Sequence, residues 1–221
     1  MNIKNNIQKI RQNLPEGCEL VAVSKTKSAA LIQEAYDAGQ RHFGENKVQE
    51  LVPKHEALPK DICWHMIGHL QSNKVKYIVP FVHLIHAIDS ERLLSEVDKQ
   101  AGKVGRTVSC LLQVHIATEE SKFGFSIEEL TAFVASTQLE TFKNIRIEGL
   151  MGMASLTEDS AQVTREFGTL RKAFEDLRGQ SLPPNVTMKI LSMGMSGDYS
   201  LAVAEGSTMV RVGSAIFGDR N

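Results

Sequence analysis

Short apolar runs recur along this chain at near-regular intervals, and most are followed by a stretch of helical periodicity. That alternation restricts the fold more than any other feature. The strand candidates span residues 19–24 (ELVAVS), 41–44 (RHFG), 62–68 (ICWHMIG), 82–89 (VHLIHAID), 107–116 (TVSCLLQVHI), 145–153 (IRIEGLMGM), 187–194 (TMKILSMG) and 208–213 (TMVRVG). Between them, SAALIQEAYDAG (28–39), SERLLSEVDKQAG (90–102) and SIEELTAFVASTQLE (126–140) carry helical spacing. Each of these opens on a serine that can cap a first turn, and two close at a glycine. Strands alternating with helices build right-handed βαβ units on a parallel sheet. Eight units in 221 residues leave a little under 30 residues each, compact but sufficient for a (β/α)8 barrel. A doubly wound sheet is the alternative, yet it usually carries a glycine-rich turn after its first strand; here that turn reads SKTKS. No low-complexity linker, compositional break or simple repeat divides the chain. The expectation is an α/β chain forming a single barrel domain over residues 1–221, preceded by an extra helix at about residues 2–14.

Composition narrows the partners. Lys plus Arg number 25 against 26 for Asp plus Glu, so no global field draws nucleic acid or an anionic membrane. No window approaches the roughly 18 apolar residues that span a bilayer, and the polar, amphipathic start MNIKNNIQKIRQNL lacks the apolar core of a signal peptide. Three widely spaced cysteines, Cys18, Cys63 and Cys110, form no paired motif and fit a reducing cytoplasm.

A barrel of this kind places its chemistry at the C-terminal ends of the strands. There the sequence sets Lys25 after strand one, Asn46 after strand two, His65 on strand three, Asp89 after strand four and His115 near the end of strand five. Strand seven runs into SMGMSGD, with Ser192, Met193, Gly194 and Ser196; strand eight runs into Gly213 and Ser214. Backbone N–H groups at these last two strand-to-helix turns form the usual phosphate site of such barrels. A phosphate at one end of the mouth and a lysine amine at the other suit a phosphorylated aldehyde, captured as a Schiff base. Pyridoxal 5′-phosphate (PLP) is the immediate candidate. Blander readings stand beside each of these. Lys25 also reads as a solvated strand end, and Gly-Ser turns before helices commonly serve as caps alone. Arg211, inside an apolar strand, needs a partner, either a ligand or a structural carboxylate. His65 and His69 lie four apart, but across a turn containing Gly68 and with no carboxylate at motif distance, which argues against metal. His42, His55 and His83 read as surface or core residues; His86 and His115 stay open.

Taken together, AVSKTK (22–27), FGENKVQE (43–50), WHMIGHLQSNK (64–74), SKFGF (121–125), GLMGM (149–153), SMGMSGD (192–198) and VRVGSAIFG (210–218) carry a resemblance over essentially the whole chain. It resembles the PLP homeostasis proteins of the YggS or PROSC type. That family is similar to the barrel half of alanine racemase, the fold type III of PLP proteins, without the racemase's β-domain. The resemblance implies that Lys25 forms the internal aldimine and that Asn46 lies near the ring. It further implies that Ser192, Ser196, Gly213 and Ser214 hold the phosphate, with Met193 and Gly194 in the same cofactor-binding turn, and that Arg211 faces the pyridine nitrogen. Ser28 stands where many relatives have proline, and position 69 varies among them. A cation at the ring nitrogen disfavours its protonation and weakens the electron sink that PLP catalysis uses. No residues remain for a domain supplying an opposite-face base, and of Tyr36, Tyr77 and Tyr199 only the last is near the rim. The implied role is to hold and deliver PLP, with apo PLP-dependent enzymes as partners and a monomer as the expected state. The rival readings are a small racemase or lyase using Lys25 as base, and a barrel binding another phosphorylated metabolite without a Schiff base.

Overall fold

The computed structural model describes residues 2–118 and 123–218; residues 121 and 122 of the SKFGF motif lie outside them. Its eight strands are β1 (Glu19–Val23), β2 (His42–Glu45), β3 (Cys63–Met66), β4 (Leu84–Ile88), β5 (Val108–Gln113), β6 (Ile145–Met151), β7 (Val186–Ser192) and β8 (Met209–Val212). Each pairs in parallel with the next, and β1 pairs with β8 through Val21↔Arg211 and its neighbours, which closes the barrel. The strands are shorter than most of the apolar runs that announce them. Residues such as Ile67 and Gly68 belong to the turns that leave the barrel.

Around the barrel lie α1 (Ile3–Gln12), α2 (Ala29–Asp37), α3 (Val48–Ala57), α4 (Val75–Ile78), α5 (Glu91–Lys103), α6 (Ile127–Val134), α7 (Ser160–Arg178), α8 (Tyr199–Ala204) and α9 (Ser214–Phe217). Ser28, Ser90 and Ser126 cap α2, α5 and α6 as their positions predict, the last with a full capping box from Glu129. α5 does not stop at Gly102. It runs on to Lys103, because Gly102 lets the helix press against the Asn144 side chain, and the turn falls at Gly105. The 126–140 stretch is also not one helix: α6 ends at Val134 and a 3-10 turn covers Thr137–Thr141. α7, the longest helix, contains Gly168 and two threonines, which dilute its periodicity in sequence.

Two apolar layers result. The larger lies between barrel and helices, where α1 inserts Ile3, Ile7 and Ile10, one face at helical spacing. This extra helix packs on α2 and α9, and Asn6 donates to the Ile216 carbonyl at 3.0 Å. The smaller layer fills the barrel itself with Val21, Leu84, Ala87, Leu111, Met151 and Met209. Among the described residues no helix is long and apolar enough to cross a membrane.

Candidate functional site

The chain leaves β1 through Ser24, Lys25, Thr26 and Lys27, and side chains fix that exit on both flanks of Lys25. Before it, the Ser24 hydroxyl donates to Glu45 Oε1 at 2.5 Å. Lys54, reaching in from α3, donates to the Ser24 carbonyl (2.9 Å), Glu45 Oε1 (2.8 Å) and Glu50 Oε2 (3.2 Å). After it, the Thr26 N–H donates to Glu50 Oε2 at 2.7 Å. Thr26 sits at φ 65°, a left-handed conformation that a β-branched residue adopts only under constraint. Burial pushes the Glu45 carboxyl above the usual carboxylate range, offset in part by its bonds from Lys54 and Ser24. Lys27 donates to the carbonyls of Phe217 (3.3 Å) and Gly218 (3.0 Å), at the C-terminus of α9 where a cation is favoured. Lys25 stands half-buried at the rim.

Across the β8–β1 seam the grip is made by backbone. Gly194 has φ 94°, and a Cβ there would lie 2.6 Å from the Ala202 Cβ and 2.9 Å from the Tyr199 Cα, so glycine is required for α8 to pack. Its carbonyl accepts from the Arg211 N–H at 2.9 Å. Buried Met193 joins the same turn, its N–H donating to the Met209 carbonyl at 3.2 Å. The Ser196 hydroxyl accepts from the Gly213 N–H at 3.1 Å, tying the two turns together. Gly213 in turn approaches β1 so closely that a Cβ would meet the Val23 carbonyl oxygen at 3.2 Å, two residues from Lys25. Ser214 opens α9 and is exposed, and the first N–H groups of that helix lie beyond the reach of any carbonyl within it. Asn46 follows β2 on the adjacent rim position and packs against Gly68. Over the β5 and β6 ends, Phe123, Met153, Leu156 and Met195 line a cleft of about 230 Å³.

Arg211 points into the barrel and is buried. Its Nη1 donates to the Ser192 hydroxyl oxygen at 2.6 Å and its Nη2 to the Gly152 carbonyl at 3.1 Å. Among the described residues no carboxylate stands within ion-pair distance of it. Burial lowers its pKa to about 10, which leaves it cationic at neutral pH.

A row of imidazoles continues from Ser192 through the barrel. His86 Nδ1 lies 3.0 Å from the Ser192 Oγ, His65 Nδ1 2.8 Å from His86 Nε2, and His42 Nδ1 2.9 Å from His65 Nε2. His65 and His86 are fully buried, and burial first, then neighbouring positive or imidazole groups, hold both well below the ordinary histidine range. They are neutral. Sequence reasoning left His86 open and gave His65 no role. The available signal was that β2, β3 and β4 each place a histidine at an inward position, and buried histidines on adjacent strands can satisfy one another. Glu45 and Lys54 were missed because their pairing crosses from β2 to α3. His69 pairs with Asp89 at 2.9 Å and stacks on Phe123, at the surface.

Comparison with known proteins agrees with the barrel fold. The family profile described as "Alanine racemase, N-terminal domain" matches residues 1–221. A pyridoxal phosphate homeostasis protein of Synechocystis sp. is 41% identical over 209 residues, covering 94% of each chain. The PipY protein of Synechococcus elongatus PCC7942 superposes with a TM-score of 0.91 without PLP, at 41% identity, and 0.87 with PLP bound, at 40%; each covers 98% of this chain and 100% of that one. Alanine racemase from Bartonella henselae shares the fold at 18% identity and TM-score 0.74, this chain covering 58% of it. On its barrel, its full-length match and its close kinship with these relatives, the chain belongs to the family of pyridoxal phosphate homeostasis proteins, built on the alanine racemase N-terminal fold.

Proposed function

We propose that this protein binds PLP at the C-terminal mouth of its barrel, holds it on Lys25 and hands it on to apo PLP-dependent enzymes in a reducing cytoplasm, residues 1–221 acting as one unit. The observation that carries the reading is Arg211: a buried cation whose hydrogen bonds go to two neutral acceptors and which, among the described residues, has no carboxylate within ion-pair distance. A neutral heteroaromatic nitrogen is the kind of group such a cation accommodates, since a protonated one would be repelled. The residues fit the rest of the cofactor as well. Ser196, having accepted from Gly213, has its own proton to donate to a phosphate oxygen, and Ser214 opens α9 beside it; Met193, Gly194 and Gly213 shape the two turns, while Ser192 supports Arg211 from inside the barrel. Asn46 borders the ring side. When bound, PLP supplies an aldehyde that the Lys25 amine captures with loss of water.

The clamp on Ser24 and Thr26 serves to aim Lys25 across the mouth instead of outward. Arg211 at the ring nitrogen would disfavour its protonation and so weaken the electron sink that PLP catalysis uses. The full-length curated relatives at 36–41% identity carry the name of homeostasis proteins.

Borohydride treatment of the PLP-loaded protein should fix one PLP per chain, and peptide mapping should place it on Lys25. An adduct on Lys27 or Lys74 would overturn the assignment. Pyridoxal lacking the phosphate should bind at least a hundred-fold more weakly, since several charge-assisted hydrogen bonds of about 1.5–3 kcal/mol each are lost. Exchange of an amino acid's α-deuterium at ordinary enzymatic rates, abolished in Lys25→Ala, would make the protein a catalyst.

A further inference from the structure

At the opposite, N-terminal mouth of the barrel, His42 opens β2, Cys63 opens β3, and His83 immediately precedes β4. Their ligand atoms all lie within 4.8 Å of one another. Glu19, the first residue of β1, places Oε2 3.7 Å from His42 Nε2. The starts of β2 and β3 and the approach to β4 thus bring two imidazoles and a thiol to one spot, with the β1 carboxylate beside His42 and within side-chain reach of it. Ligand atoms around tetrahedral Zn2+ stand roughly 3.3–3.8 Å apart, given metal–ligand lengths of about 2.0 and 2.3 Å, so closure needs only side-chain adjustment.

Three further features suit a metal. His42 has its Nδ1 engaged by His65 at 2.9 Å, which orients the ring and leaves Nε2 for a ligand, the outer-shell arrangement of metal-binding histidines. The backbone under the cluster is pinned: Cys63 N–H donates to the Arg41 carbonyl and His83 N–H to the Trp64 carbonyl, each at 2.9 Å. Two neighbouring arginines are turned elsewhere. Arg11 donates to Gln40 at 2.9 Å and to the Gly39 carbonyl, and Arg106 to the Val79 and Val82 carbonyls.

We infer that His42, Cys63 and His83 form a binding site for a borderline-soft divalent metal of the Zn2+ class, with Glu19 as fourth ligand. Binding forms a metal–sulfur bond and releases the Cys63 proton to solvent. With thiolate and carboxylate both bound, the dication is neutralised, which suits a half-buried position. The ligands are about twenty residues apart in sequence, so no short spacing motif reveals them.

Cobalt(II) is the probe, because its thiolate complexes show a near-ultraviolet charge-transfer band and tetrahedral sites give intense visible bands. One equivalent added to the full-length protein should develop both, and Zn2+ should bleach them. Cys63→Ser should abolish the charge-transfer band, while Cys18→Ser leaves it intact. His83→Ala, an exposed position where folding is safe, should weaken Zn2+ binding roughly ten-fold or more in competition with a chelating dye. Absence of the charge-transfer band at one equivalent overturns the site. So does its persistence in Cys63→Ser, or wild-type affinity in His83→Ala.

Discussion

On the β1–β2 side of the mouth, four side chains (Ser24, Glu45, Glu50 and Lys54) hold the backbone around Lys25. On the β7–β8 side the work falls to main-chain groups and two glycines packed against their neighbours, with Ser196 bridging the turns. The two sides answer different physical demands. On the PLP reading proposed above, an amine that must react in one direction would be aimed by a directional network, and a compact anion would be met at helix-start N–H groups and hydroxyls on rigid turns. A charged clamp responds to pH and tolerates isosteric change. The opposite turns are held mainly by main chain, with Asp198 Oδ1 accepting from the Met195 N–H, and leave little room for an added carbon.

Substitutions can break this contrast. Gly194→Val should have the largest effect, destabilising by about 3–5 kcal/mol in denaturant melts, because a branched side chain meets Ala202 and the Tyr199 backbone at a positive φ. A loss below about 1 kcal/mol would show that the turn yields and that backbone does not define this side. Lys54→Met should cost about 3 kcal/mol at neutral pH by leaving the Glu45 carboxylate buried without its cation. The sign of its pH dependence follows from Glu45, whose folded pKa is raised above 4.5 mainly by burial. The stabilisation this carboxyl contributes is fully present below pH 4.5, where it is neutral in both states, and is lost as pH rises through the folded value. The penalty of Lys54→Met should therefore shrink below pH 4.5, to what the lost bonds to the Ser24 carbonyl and Glu50 leave, and grow above it; urea melts at two pH values decide this. Ser196→Ala should cost about 1 kcal/mol for the bond from Gly213, equally at both pH values. A pH-dependent loss would show that the Asp198 carboxylate, which accepts from the Met195 N–H, is coupled to the Ser196 bridge. Thr26→Gly should give the smallest change, a gain of up to about 1 kcal/mol as φ 65° becomes unstrained. Destabilisation would mean that the threonine side chain contributes to the clamp.

The barrel was legible because short apolar runs and serine caps are local signals, and all eight strands and the leading helix lie close to where those signals place them. Rim positions such as Lys25, Gly194 and Gly213 followed from where strands end. What escaped the sequence is long-range. Lys54 reaches Glu45 only once α3 folds back over β2, and Gly102 looks like a helix stop until Asn144 packs on it. His42, His65 and His86 become a set only when three strands lie side by side.

That row of imidazoles holds a form of memory. Each nitrogen-to-nitrogen contact contains one proton, so three neutral rings in line admit two complete proton orders. In one, every proton points toward Ser192, whose oxygen then accepts from both His86 and Arg211 and whose own hydroxyl proton turns to another acceptor. In the other, the Ser192 hydroxyl donates to His86, every contact reverses, and His42 presents N–H to Glu19. A single ring cannot reverse alone without setting lone pair against lone pair, or N–H against N–H, in a dry interior. The column behaves as one binary digit written across the barrel: whatever settles the proton at one mouth also settles the hydroxyl at the other.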